Sequence, residues 1–198
     1  MSYRDVEELL AERGIQVDHT TLFRWVARFT PLFTEAARPL RHTPGDRVRR
    51  RNECEVAGKW RYLYRAVDQF GQVIDVLLSP RRDKKAARRF FTRALADVTS
   101  PTEVTTDRAA AYPRIVEDLL PAANHVTVKY ANNRIEADHG RLKARLRPTR
   151  GMKKGRSLRV IASGHAFIQN LRRGHELATD ATTLDRVAVA FTELALAI

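Results

Sequence analysis

Apolar positions recur first at helical and then at strand spacing along this chain. From Tyr3 to Arg13, Val6, Leu9 and Leu10 make one stripe, and Gly14 stops it. Asp18, Thr20 or Thr21 can cap a second helix through Leu22, Trp25, Val26 and Phe29, which Thr30-Pro31 is expected to end. Pro39, Pro44 and Gly45 mark a linker at 38–46. The pattern then changes to alternation. Trp60 to Asp68 and Gln72 to Ser79, joined by Gln69-Phe70-Gly71, predict an antiparallel hairpin. A preceding strand through Arg51 to Val56 is poor, because charges stand where apolar residues belong. Trp60, Tyr62 and Tyr64 share one strand face and read as core.

Asp83 can cap a helix whose Ala87, Phe90, Phe91 and Ala94 lie on one side. A short strand from Glu103 to Asp107, a helix from Pro113 to Leu120 and a strand from His125 to Val128 follow. Asn132 is placed to cap a helix with an Ile135, His139, Leu142, Leu146 stripe, stopped by Pro148. Two helices near Ser157 to Arg173 and Leu184 to Leu196 close the chain. His139 and His165 face apolar stripes and read as core rather than ligands. A three-strand meander followed by alternating helices and strands predicts an α/β fold: a mixed sheet with helices on both faces, in the order of the ribonuclease H-like fold.

Composition narrows the function. The 198 residues carry 36 Lys+Arg against 23 Asp+Glu, a formal charge of +13, and 43% are hydrophobic. That supports a packed core and points to a polyanionic partner, most simply nucleic acid. Cys54 is alone, so neither a disulfide framework nor zinc spacing is present. No apolar run approaches a membrane span and no leader is visible, so a cytoplasmic, nucleoid-associated protein with no membrane and no small-molecule substrate is expected. The cations cluster at 47–51, 81–93 and 134–159. Two short helices around a glycine match a helix-turn-helix segment with Thr21, Arg24 and Arg28 on its second helix; pattern alone equally fits a plain helical hairpin.

Two acids stand out. Asp107 falls at the carboxyl end of a predicted strand, where chemistry gathers in α/β sheets. Glu136 falls on the first turns of a basic helix, on the face continued by Gly140, Lys143 and Arg147. Carboxylates suit hard cations such as Mg²⁺, and neighbouring cations suit DNA phosphates. Each acid taken alone is equally a surface ion pair or a helix cap.

The stretches Tyr3-Arg4-Asp5-Val6-Glu7-Glu8-Leu9-Leu10, Val67-Asp68-Gln69-Phe70-Gly71, Thr106-Asp107-Arg108 and Tyr130 to Lys143, with its Asn132-Asn133-Arg134-Ile135-Glu136-Ala137-Asp138-His139-Gly140 core, resemble bacterial insertion-sequence transposases of the IS-six type. The resemblance covers nearly the whole chain. It implies a DDE catalytic domain, Mg²⁺ or Mn²⁺ (two ions in an active relative), and DNA partners: terminal inverted repeats and target DNA. It implies a homodimer or higher oligomer, because two ends must be joined. Asp107 resembles the second catalytic acid, Glu136 the third, and Lys143 its accompanying cation, with Arg134, Arg141 and Arg147 beside them as DNA contacts.

Two departures qualify it. The first acid belongs on the first strand, but Arg51-Asn52-Glu53-Cys54-Glu55-Val56 is one residue short and has Asn52 at that place. A neutral amide brings no charge to bridge two cations. Glu53 and Asp68 are the carboxylates that could replace it. Measured against the resemblance, the chain is expected to start inside the family's N-terminal region, without the opening helices of its DNA-binding module. The expected organisation is 1–37 as a partial helix-turn-helix segment, 38–46 as linker, 47–175 as DDE domain and 176–198 as a C-terminal helix. Two functions compete: a transposase cutting and transferring strands, and a DNA-binding remnant or repressor without catalysis. Asn52 leans toward the second.

Overall fold

The computed structural model describes residues 2–40, 47–50, 53–96, 100–107, 109–127, 133–146, 152–175, 177 and 180–196, with backbone alone at 40, 47–50, 53–55 and 133–139. Asn52, Asn132 and Arg147 therefore lie outside the described residues, as do the side chains of Glu53, Cys54, Arg134, Glu136 and His139.

The hairpin is the backbone of the sheet. β3 (Lys59–Val67) and β4 (Val73–Ser79) pair antiparallel, from Tyr62 opposite Ser79 to Val67 opposite Val73. Asp68 closes their turn: its Oδ1 accepts the Phe70 and Gln72 amides at 2.9 and 2.8 Å. The free edge of β3 takes β1 (Arg47–Arg50) and β2 (Glu53–Val56), both antiparallel. β1 continues the sheet in parallel to β5 (Glu103–Thr105), and β5 to β6 (Asn124–Val126). Across the sheet the order is β4, β3, β1 with β2, β5, β6. The strand expected to be poor over 51–56 is found as β2 over 53–56, and the arginine-rich stretch 47–50, read only as a cation cluster, pairs in the middle as β1. Ladder hydrogen bonds belong to the main chain and form whatever the side chain.

Helices cover both faces. α3 (Lys84–Ala94) and α4 (Tyr112–Leu119) bury Phe90, Phe91, Ile115 and Val116 against Tyr64, Ala66, Leu77 and Val104. On the other face, Leu142 of α5 (Asn133–Leu146) and Leu158 and Ala162 of α6 (Gly155–Arg173) pack on Leu63 and Val56. β3 follows this division by alternation, and its last five residues are buried. Trp60 departs from its expected place in the core: it is 62% exposed, because β3 begins beyond the helical cover. His165 is buried, as its stripe predicts.

α6 also holds the outer helices. Its far side packs with α2 (His19–Ala36) and α7 (Arg186–Leu196) around Phe33, Phe167, Phe191, Ala190 and Leu194. The Phe33 and Phe191 rings meet edge-on at 5.1 Å. α2 runs through Pro31 rather than ending there. A mid-helix proline forfeits one hydrogen bond and costs about 3 kcal/mol. Burial of the following turn, through Phe33 and Ala37, offsets that cost. α1 (Tyr3–Ala11) joins α2 through residues 12–18, a longer link than a tight helix-turn-helix turn. Asp18 is the cap of α2, and Glu7 of α1 bonds His19 Nδ1 at 2.8 Å.

Asn170 of α6 fastens the helix to the sheet edge. It is fully buried, its Oδ1 accepts the Val73 amide at 2.8 Å, and its Nδ2 donates to the Val73 carbonyl at 3.0 Å. Asn170→Ala leaves both main-chain groups buried without their side-chain partner. Chemical denaturation should show a loss of roughly 2–4 kcal/mol, the cost of two such groups. A loss below about 1 kcal/mol, the net worth of one ordinary hydrogen bond, would show that other groups satisfy β4 there.

Candidate active site

β5 delivers Asp107. The strand ends at Thr105, and the Thr106 amide makes one more parallel bond, to the Val126 carbonyl at 3.0 Å. Asp107 then leaves the sheet at its carboxyl end, as its sequence position predicts. One carboxylate oxygen, Oδ1, accepts the Ala109 amide at 3.2 Å. The other, Oδ2, accepts from Arg82 Nη2 at 2.9 Å. The Asp107 side chain is 12% exposed and that of Arg82 34%. The pair is therefore partly shielded from water, and worth more than an exposed one.

Thr106 and His125 brace this corner. The Thr106 hydroxyl donates to the Asp107 carbonyl at 2.9 Å and meets His125 Nε2 at 2.8 Å. With its one proton committed, the hydroxyl accepts from His125 Nε2–H. Burial holds the imidazole below its ordinary pKa.

α5 places Glu136 by backbone. It is in the first turn, and helical spacing sets it on the face of Gly140 and Lys143, away from the wholly buried Leu142. Arg141, Gly140 and Lys143 are exposed, and a Cβ at Gly140 would meet nothing within 4 Å. This face is open to a large ligand.

The first acid has no described carboxylate in reach. Asp68 is excluded by register. Its neighbour Val67 pairs with Arg49, which pairs with Thr105, so Asp68 and Asp107 lie on opposite sides of that row. The separation is three residue rows, about 10 Å along the strands, plus two strand spacings. Asp68 is also buried and committed to the hairpin turn. Arg50 at the end of β1 pairs with Ala66 and Glu53 at the start of β2 pairs with Tyr62, so the chain takes three steps where β3 takes four. A one-residue offset exchanges the faces that side chains occupy.

The cations read as DNA contacts divide by element. Arg24 and Arg28 of α2 are exposed and Thr21 is half-buried, with Arg28 over the Phe29 ring at 5.7 Å. They are not brought beside Asp107; they belong to the helices that α6 carries. Arg82, Thr106 and His125 join the site without a local sequence signal for that role. Arg82 belonged to a noted basic cluster, and its contact spans two elements.

Residues 53–175 match a family model described as a DDE domain. The chain is 36% identical over 152 residues to the transposase for insertion sequence-like element IS431mec of Staphylococcus aureus strain N315, covering 73% of this chain and 67% of that protein. Identity to the Staphylococcus aureus transposase for insertion sequence element IS257 in transposon Tn4003 is 35%, with the same coverage. Among solved structures, a chain of the simian T-cell lymphotropic virus intasome in complex with PP2A regulatory subunit B56 gamma matches with TM-score 0.50 at 16% identity, over 66% of this chain and 49% of that one. The HTLV-2 integrase catalytic core domain in complex with magnesium, in its trimeric form, gives 0.49 at 14% identity, over 75% of this chain and 97% of that one. The shared architecture is the ribonuclease H-like fold. No described helix is long and apolar enough to cross a membrane.

The depressed pKa of His125 has a consequence for stability. Above about pH 6.5 both folded and unfolded imidazole are neutral. As pH falls, the unfolded chain takes a proton that the folded site resists, so stability is lost through and below that value. Denaturation at pH 7.5 and 5.5 should show a smaller acid loss in His125→Gln than in the unmodified chain. Equal losses would remove His125 from the balance.

Proposed function

We propose that this chain, which belongs to the insertion-sequence transposases with a DDE domain, binds DNA ends with a phosphoryl-transfer centre that has lost its first acid. The observation that supports this most is the arrangement around β5. A shielded carboxylate stands at the carboxyl end of β5, beside β1 with its arginines, and the step from β1 to β2 is one residue shorter than the matching run of β3.

Asp107 fits a divalent cation by its chemistry: a hard carboxylate oxygen, oriented by the Ala109 amide through its partner oxygen. Glu136, on the open face of α5, is the second ligand of this reading. A bound Mg²⁺ or Mn²⁺ would polarise the phosphate and lower the pKa of water there. The chain's own part is positioning. Thr106 and His125 hold the main chain at Asp107, while the exposed Arg141 and Lys143 of α5 are the cations this reading gives to DNA phosphates, with Arg134 in the same helix. Arg24 and Arg28, with Thr21, contact the terminal repeat from α2, and Arg147 is a further DNA contact of this reading by its place in the sequence. Two copies bring two ends together. With Asn52 at the first position, the charge that would complete the metal pair is missing, so binding outlasts cleavage.

Binding should persist in EDTA. Replacing Arg24 and Arg28 together with Ala should lower the slope of log affinity against log salt by about 2, near 0.9 for each phosphate contact. An unchanged slope would place the DNA elsewhere. Asn52→Asp should raise Mn²⁺-dependent nicking of an end-bearing duplex by at least about 10–100-fold, the scale set by second-sphere ligands alone. Glu136→Gln in the same background should abolish that gain. No gain from Asn52→Asp would show that the shortened strand, and not the missing charge alone, disables the centre.

A further inference from the structure

We propose that Arg82 is a guanidinium competitor for the metal position on Asp107, released when a divalent cation binds. The inference rests on reading Asp107 as a metal ligand. Arg82 lies between β4 and α3, and its Nη2 bonds Oδ2, the Asp107 oxygen not already taken by the Ala109 amide. A doubly charged ion on that oxygen would stand within a few ångströms of the guanidinium, and like charges at that range repel strongly in a partly shielded site. The two are alternatives.

The local backbone makes the exchange a side-chain movement. On one side of Arg82, the Arg81 amide donates to Ser79 Oγ at 3.3 Å. On the other, Asp83 caps α3 by accepting the Ala86 amide at 2.7 Å. The main chain around Arg82 is thus tied at both ends, while its side chain is 34% exposed. In the metal-free state the pair neutralises Asp107. Once displaced, the same guanidinium is a planar, permanently charged donor for a DNA phosphate near the reacting strand. Metal loading and DNA engagement would then be linked through one residue.

Mn²⁺ alone is the probe, followed by electron paramagnetic resonance on the full chain without DNA. Arg82→Gln should bind Mn²⁺ roughly tenfold more tightly than the unmodified chain, the low end of what an adjacent charge does to a carboxylate equilibrium. Arg82→Lys, which keeps the charge, should stay near the unmodified affinity. Asp107→Asn should weaken binding in either background. Tighter binding in Arg82→Lys equal to that in Arg82→Gln would overturn the charge competition. Unchanged or weaker binding in Arg82→Gln, with Asp107→Asn still weakening it, would overturn the role of Arg82 and leave Asp107 as a ligand. No effect of Asp107→Asn would overturn the reading of Asp107 itself. Matching far-UV spectra and melting curves establish that the variants are folded.

Discussion

The parallel pairing of β5 with strands on both its edges is the constraint on which the rest of this molecule depends. β1 fixes one edge, from Arg47 opposite Glu103 to Arg49 opposite Thr105, and β6 fixes the other. Those ladders aim Asp107 out of the sheet and bring His125 under Thr106. They are made by main-chain groups, which are indifferent to side-chain identity. A central strand can therefore fill with arginines and still hold its neighbours in register. The chemistry has no such tolerance, because a metal pair needs negative charge at given atoms. Fold and catalysis are specified by different parts of the same residues, so one can be kept without the other.

α6 is the second organising element. One side lies on the sheet through Leu158, Ala162 and Ala166, and the other receives α2 and α7. The crossing with α2 is close: a Cβ on Gly164 would stand 3.1 Å from Thr30 Cγ2. Asn170 and Arg173 tie the same helix to Val73 and to the Gly71 carbonyl at the hairpin. The helices assigned to DNA ends are thus carried on the layer that supports the sheet.

Much of this was legible in the sequence, for stated reasons. The hairpin announced itself through alternation and a Gly71 turn, and α3 through the spacing of Phe90 and Phe91. Asp107 was marked by its strand end and Glu136 by its helix face. What stayed hidden is non-local. Pro31 reads as a stop until Phe33 is seen packed against Phe191 and Phe167. Trp60 alternates like a core residue, but burial depends on where the helices end. β1 was obscured because charge masked its strand character, while its hydrogen bonds lie with Val67 and Ala66. Arg82 touches Asp107 and Asn170 clasps Val73 only after the chain has folded.

The central claim is that the fold and the DNA surface persist while the centre lacks an acid. The direct measurement is Mn²⁺-dependent nicking of a duplex bearing the element's own inverted repeat, by the unmodified chain, beside Glu136→Gln. The account predicts a retained DNA complex and no cleavage above the Glu136→Gln control. Cleavage by the unmodified chain that disappears in Glu136→Gln would contradict it, and would mean that another carboxylate completes the site.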